Sequence, residues 1–272
     1  MRYAICNETF EGWEHARVCD YVASLGYTGL ELAPFTLAER ITDVSSAQRR
    51  DLRLTAERAG LQIIGLHWLL AKTTGLMLTS PDDTVRQATA DYLVELAGAA
   101  ADLGGDILVF GSPAQRRIPA GASRQQAMGW AVDTFRRAAP GIEAMGVKLC
   151  VEPLAPPEAD FLTSAAEAIQ LIQQVQSPAF RLHLDVKAMS AEKDDMPTLI
   201  QRHREQLYHF HANDPNKRGP GFGAVDFVPL LAALKAISYS GWVSVEVFDY
   251  TPDPETIATQ SLAYLRKCAG EA

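Results

Sequence analysis

Cysteine is scarce in this sequence, and what there is follows no useful pattern. Cys6, Cys19, Cys150 and Cys268 show neither CxxC nor zinc-finger spacing. They read as reduced, buried thiols of a cytoplasmic protein. Long hydrophobic runs are also missing. Nothing approaches the roughly 18 apolar residues of a membrane span, and the opening MRYAICNETFEGWEH holds no apolar stretch long enough for a signal peptide. Positive charge is in deficit. Lys and Arg number 25 against 33 Asp and Glu, for a net charge of -8, and the basic residues are scattered rather than striped. Such a chain is a poor candidate for holding nucleic acid. No GxGxxG turn follows the first strand-like run, so an open dinucleotide-binding sheet loses its usual support.

What is present is an alternation. Eight short apolar runs are bounded by turn formers: RYAIC (2–6), GLELA (29–33), LQIIGLH (61–67), DILVFG (106–111), VKLCVE (147–152), RLHLDV (181–186), LYHFHA (207–212) and WVSVEV (242–247). Runs of this length and composition are buried strands. Helical spacing of apolar residues occupies 84–104, 123–146, 163–175, 226–238 and 254–268. Pro140 is expected to interrupt the second of these. Three joints, LGYTGLEL, AGLQIIGLH and MGVKLCVE, carry a glycine near a helix end, where a left-handed residue stops the helix. The pattern predicts a (β/α)₈ TIM barrel forming a single domain over 1–272.

In such barrels the chemistry sits at the C-terminal ends of the strands. The last polar residues of the fifth to eighth runs are Glu152, Asp185, His211 and Glu246. Side chains alternate along a strand. Lys148, Cys150 and Glu152 share one face; so do Arg181, His183 and Asp185; so do His209 and His211, opposite Tyr208 and Phe210; and so do Ser244 and Glu246. The aliphatic faces suit the outer helices, so the polar faces point into the barrel. Three carboxylates crowded there repel one another and each costs several kcal/mol of desolvation. One divalent cation removes that conflict. One imidazole with three carboxylates is a hard, oxygen-rich set that suits Mn²⁺ first, then Mg²⁺ or Co²⁺.

With these pieces together, the sequence resembles the xylose isomerase-like sugar phosphate isomerase/epimerase superfamily, and most of all its ketose 3-epimerase branch. The matching pieces are VEP with Glu152, HLDVK with Asp185, HFHAND with His211 and SVEVFDY with Glu246. The resemblance implies a divalent-metal-dependent enzyme acting on a keto-sugar. The metal binds the carbonyl and a neighbouring hydroxyl and stabilises the enediolate formed when a C–H proton leaves. Glu152 and Glu246 flank the substrate; one removes the proton and the other returns it. The loop NDPNKRGPG then places Lys217 or Arg218 on substrate hydroxyls or on developing charge, and Glu158 matches an acid near the substrate carbonyl. His67, at the end of the third run, is expected to face the pocket, with His183 one layer beneath Asp185. Trp13, Trp68 and Phe248 are candidate apolar walls, and Glu31 is either a pocket acid or an ion-pair partner. One departure stands out. Where ketose epimerases carry a histidine three residues after the strand Asp, this chain has Ala188, with Lys187 beside it. A related but different keto-sugar fits that change.

Alternatives remain on the same scaffold. A lyase or dehydratase acting on a 3-keto-glycoside or a cyclic dehydro-acid would use the same ligands. An endonuclease IV-like nuclease builds a three-metal cluster from more histidines, whereas this chain is acidic and two of its six histidines fall in helical patterns. GPGFG (219–223) either cradles a phosphate or only shapes a turn, and the balance favours a non-phosphorylated sugar. The resemblance also implies a homodimer or homotetramer paired through the barrel mouth.

Overall fold

The computed structural model describes residues 1–271. Eight parallel strands close into a barrel in sequence order, with the last pairing back on the first. They are β1 (Arg2–Cys6), β2 (Gly29–Leu32), β3 (Gln62–Leu66), β4 (Ile107–Phe110), β5 (Lys148–Val151), β6 (Phe180–Asp185), β7 (Leu207–Ala212) and β8 (Trp242–Val245). Each falls within its expected run except β6, which starts one residue early. Around them lie α1 (His15–Leu25), α2 (Ser46–Arg58), α3 (Asp83–Asp102), α4 (Arg124–Ala144), α5 (Ala165–Val175), α6 (Val186–Met189), α7 (Met196–Arg202), α8 (Phe227–Ala236) and α9 (Pro254–Ala269). Among the described residues, no helix is long and apolar enough to cross a membrane. All four cysteines are free thiols.

The local signals act as the sequence suggests. Ser123 caps α4 with Gln126 in a reciprocal capping box, and Ser164 caps α5 by accepting from the Glu167 N–H. Gly26, Gly60 and Gly146 take the left-handed conformation at the three joints. Two expectations are corrected. Pro140 does not interrupt α4, which runs through it to Ala144. Pro140 itself is exposed, so the carbonyl it leaves unpaired can bond water, while the packed Ala138, Ala139 and Ile142 hold the helix on the barrel. Tyr208 does not join Phe210 on the outer face. It packs against the cluster that plugs the barrel floor, Ala4, Ile64, Ile107, Val109, Cys150 and Trp242. The β6–β7 register shifts between Leu182 and His183, which re-aims one residue of β7. Gly29 makes room for that plug, since a Cβ there would come within 2.8 Å of Trp242. With the floor filled by apolar groups, polar inward side chains are left to the upper layers.

Candidate active site

Glu152 and Glu246 each stand one residue beyond their strands, β5 and β8, while Asp185 ends β6 and His211 lies near the end of β7. All four are buried. Donor atoms of Glu152, Asp185, His211 and His183 lie within 4.8 Å of one another. Glu246 joins through its Oε2, 3.0 Å from His211 Nδ1. Each side chain is braced from behind. Asp185 accepts from the Ala188 N–H at 2.8 Å, capping α6, and from Asn213 Nδ2. The other Glu246 oxygen, Oε1, accepts from the Trp68 indole N–H at 2.7 Å. Glu31, on β2, lies 3.1 Å from His211 Nε2 and 3.0 Å from His209 Nε2. Among the described residues, the Glu152 side chain makes no hydrogen bond. Its carboxylate occupies space that Gly111 leaves open, because a Cβ at Gly111 would sit 1.7 Å from Oε2.

The electrostatics follow from this crowding. Burial, and then the Glu246 and Asp185 carboxylates, hold the Glu152 carboxyl well above the usual range. Burial and Glu246 push Asp185 up to about 6. Burial also pushes Glu246 upward, but His211 and the Trp68 N–H outweigh it and leave it below its ordinary value. Burial alone would lower His211; the Glu31 and Glu246 carboxylates hold it well above. Among the described residues, no Lys or Arg forms an ion pair with Glu152, Asp185 or Glu246. Arg116 is buried beside Glu152, yet it donates to the Glu152 and Phe110 carbonyls. Both ring nitrogens of His183 lack a hydrogen-bond partner among the described residues. Two oxygen ligands across an octahedral ion stand about 4.2 Å apart at roughly 2.1 Å each, which lies within the 4.8 Å that bounds the donor atoms of Glu152, His183, Asp185 and His211.

The remaining predicted residues are distributed as follows. His67 is fully buried and its Nε2 lies 2.8 Å from Glu8 Oε2. His183 is sealed beneath the carboxylates. Glu158 is half-exposed at the mouth and pairs with Lys187 Nζ at 2.5 Å. Arg218 is turned to Asp249 and Thr251, at 3.0 and 2.8 Å. The Lys217 side chain is exposed, while its carbonyl accepts from the Phe248 and Asp249 N–H groups and ties the loop after β7 to the end of β8. In GPGFG the glycines serve close packing: Gly219 abuts Ser261, Gly221 abuts Tyr264, and Gly223 abuts the buried Asp214 carboxylate. Sequence reasoning missed Glu8, Gly111, Arg116 and Asn213. Asn213 carried a signal, since it follows the inward His211 by two residues, whereas Glu8 lies in a short 3-10 turn beyond β1 where strand alternation no longer applies. Gly111 and Arg116 carried none.

Comparison with known proteins agrees with this architecture. D-psicose 3-epimerase of Agrobacterium fabrum is 30% identical over 252 residues, covering 87% of this chain and 82% of that protein. D-psicose 3-epimerase of Ruminiclostridium cellulolyticum is 27% identical over 246 residues, covering 87% and 81%. A crystal structure of D-psicose 3-epimerase in the presence of D-fructose superposes with a TM-score of 0.87 at 23% identity, over 99% of this chain and 100% of that one. That likeness speaks for the fold. The relatives are named epimerases, which makes the chain an enzyme of the isomerase class. Residues 19–268 match the family described as xylose isomerase-like TIM barrel, and the chain belongs to it.

Proposed function

We propose that the chain is a divalent-metal-dependent sugar epimerase/isomerase that moves a proton at the carbon next to the carbonyl of a keto-sugar. The observation that carries this reading is the set of three buried carboxylates and one imidazole at the ends of β5 to β8: Glu152, Asp185 and His211 lie within 4.8 Å of one another, Glu246 touches His211, and among the described residues no Lys or Arg is paired to any of the carboxylates. Left as anions without a cation, such groups are costly to bury. Glu152, Asp185, His211 and Glu246 would hold the ion, with Mn²⁺ preferred over Mg²⁺ and Co²⁺. When bound, the ion polarises the substrate carbonyl and stabilises the enediolate.

The protein's own groups supply the rest. Glu152 and Glu246 stand on strands three apart around the barrel and approach the substrate carbon from different sides. One carboxylate takes the substrate proton and the other, already protonated, donates its own. Return to the opposite face of the same carbon is epimerisation, and return to the neighbouring carbon is isomerisation. Glu31 sits behind His211 and holds Nε2 as a donor, which leaves Nδ1 for the ion. Asn213 fixes one Asp185 oxygen. Trp68 orients Glu246. At the rim, Lys187 and Glu158 form a polar pair suited to sugar hydroxyls, at the side where Ala188 replaces the family histidine. The acidic Asp214 within the loop after β7 disfavours a phosphate there, which supports a non-phosphorylated sugar. Cytoplasmic localisation fits a soluble sugar substrate.

The test is a panel of keto-sugars with Mn²⁺-loaded protein in D₂O, read by NMR. Deuterium entering a single C–H position without loss of mass elsewhere supports the reading. No exchange with any keto-sugar would overturn it, and release of water or an aglycone would move the assignment to a lyase.

A further inference from the structure

Beside the mouth, on the β1 to β3 side, lies a cleft of about 1000 Å³. That volume is at the top of the roughly 300–1,000 Å³ range that holds drug-sized ligands, and far more than one sugar ring requires. It adjoins the catalytic centre through two residues. Glu8 lines the cleft and holds His67, and Trp68 lines the cleft with its ring while its N–H sits on Glu246. The walls are aromatic, and their rings pack on one another in a continuous strip. Phe35 and Trp68 have centroids 5.9 Å apart, and Trp68 and Phe248 6.0 Å apart, which makes a step from the cleft towards the mouth. Trp13 and Phe10 close the far end.

The charges around the cleft narrow the ligand further. Five carboxylates line it, those of Glu8, Glu11, Glu14, Asp43 and Asp51. Lys72 is the one lysine or arginine among the lining residues, and its Nζ lies 4.3 Å over the Phe35 ring. Burial lowers the pKa of His15, so it adds little positive charge. A phosphate or carboxylate would be repelled. A neutral ring would find stacking faces for its C–H surface and carboxylates to accept from its hydroxyls.

We propose that this cleft is a second binding subsite, taking the uncharged second ring of a keto-sugar glycoside while the keto ring lies over Glu152 and Glu246. The inference rests on the keto-sugar reading above. It assigns specificity to Phe35 and Trp68, and to the space in front of Thr55 on α2.

The experiment compares three substrates in D₂O with Mn²⁺-loaded protein: a free ketohexose, a methyl 3-keto-β-glucoside and a phenyl 3-keto-β-glucoside. Expected is a phenyl glycoside favoured over the methyl glycoside in kcat/KM by about tenfold, the worth of one good aromatic contact. Two variants follow that ratio. Phe35→Leu removes the stacking face but keeps apolar volume, and Thr55→Trp fills the cleft from α2. Both are expected to bring the phenyl-to-methyl ratio near one, and circular dichroism checks that each variant is folded. A ratio near one in the unchanged protein overturns the proposal, as would be seen if a second copy of the chain covered the cleft. So does a ratio that neither variant moves. Exchange with the free ketohexose alone sinks the subsite while sparing the keto-sugar reading. Silence with all three substrates sinks both.

Discussion

At the scale of single residues, the site depends on side chains that cannot relax away from one another. Among the described residues the Glu152 carboxylate has no hydrogen-bonding partner, and it has no room to retreat, because the space that holds it exists only where Gly111 lacks a Cβ. Glu152→Gln keeps the shape and removes one of the two proton-transferring carboxyl groups. It is expected to slow exchange of the substrate C–H by roughly 100- to 10,000-fold while leaving the circular dichroism spectrum unchanged. Gly111→Ala is expected to displace the carboxylate and weaken Mn²⁺ binding about 10- to 100-fold in a calorimetric titration. Unaltered affinity would show that Glu152 is not a ligand. The four proposed ligands were legible because strand alternation puts them all on one face at consecutive strand ends. Their supports were less so. Trp68 read as an apolar wall, yet it acts through its N–H on Glu246. Arg116 lies in a short turn after β4 rather than on a strand, so no periodicity leads from its sequence position to the carbonyl of Glu152.

At the scale of elements, strands and caps were readable because their signals are local. Period-two apolar runs, a Ser followed by Gln or Glu three residues on, and a glycine at a helix end each involve a few neighbouring residues. The two departures arise where distant packing decides. The β6–β7 register shift that turns Tyr208 inward is a property of two strands and a barrel floor, and β7 alone does not encode it. Pro140 follows the same logic. Locally it should break a helix, but α4 is clamped by its buried alanines and Ile142 against the barrel. That tolerance has a cost. Proline in a helix interior is unfavourable by about 3 kcal/mol, partly offset by roughly 0.4–1 kcal/mol of restriction in the unfolded chain. Pro140→Ala is therefore expected to raise stability by about 2 kcal/mol, read as a higher urea midpoint. No shift, or a lower midpoint, would mean that α4 is bent at Pro140 in a way the barrel needs.

At the scale of the whole molecule, the acidic balance and the barrel's filled floor act together. The plug of Trp242, Cys150 and their neighbours leaves the polar inward groups only the upper half of the barrel, so the carboxylates gather near the mouth. In the metal-free protein that gathering opposes folding once the carboxylates ionise. Asp185 has its pKa raised to about 6 from an ordinary 3.8, so its penalty is absent below pH 4 and complete above pH 6. Stability of the metal-free chain from this group thus falls as pH rises through that window. A divalent ion needs the ionised donors, so its stabilisation runs the other way and grows over the same range. At an ion concentration about 100 times its dissociation constant, the gain is about 2.7 kcal/mol, or roughly 5–10 °C in Tm for a chain of this size. Thermal melts with EDTA and with Mn²⁺ should therefore diverge at pH 7.5 and converge near pH 5. Asp185→Asn should weaken the Mn²⁺-dependent shift at pH 7.5. A Tm difference that is independent of pH, or one that survives intact in Asp185→Asn, would place the ion somewhere other than among these four residues.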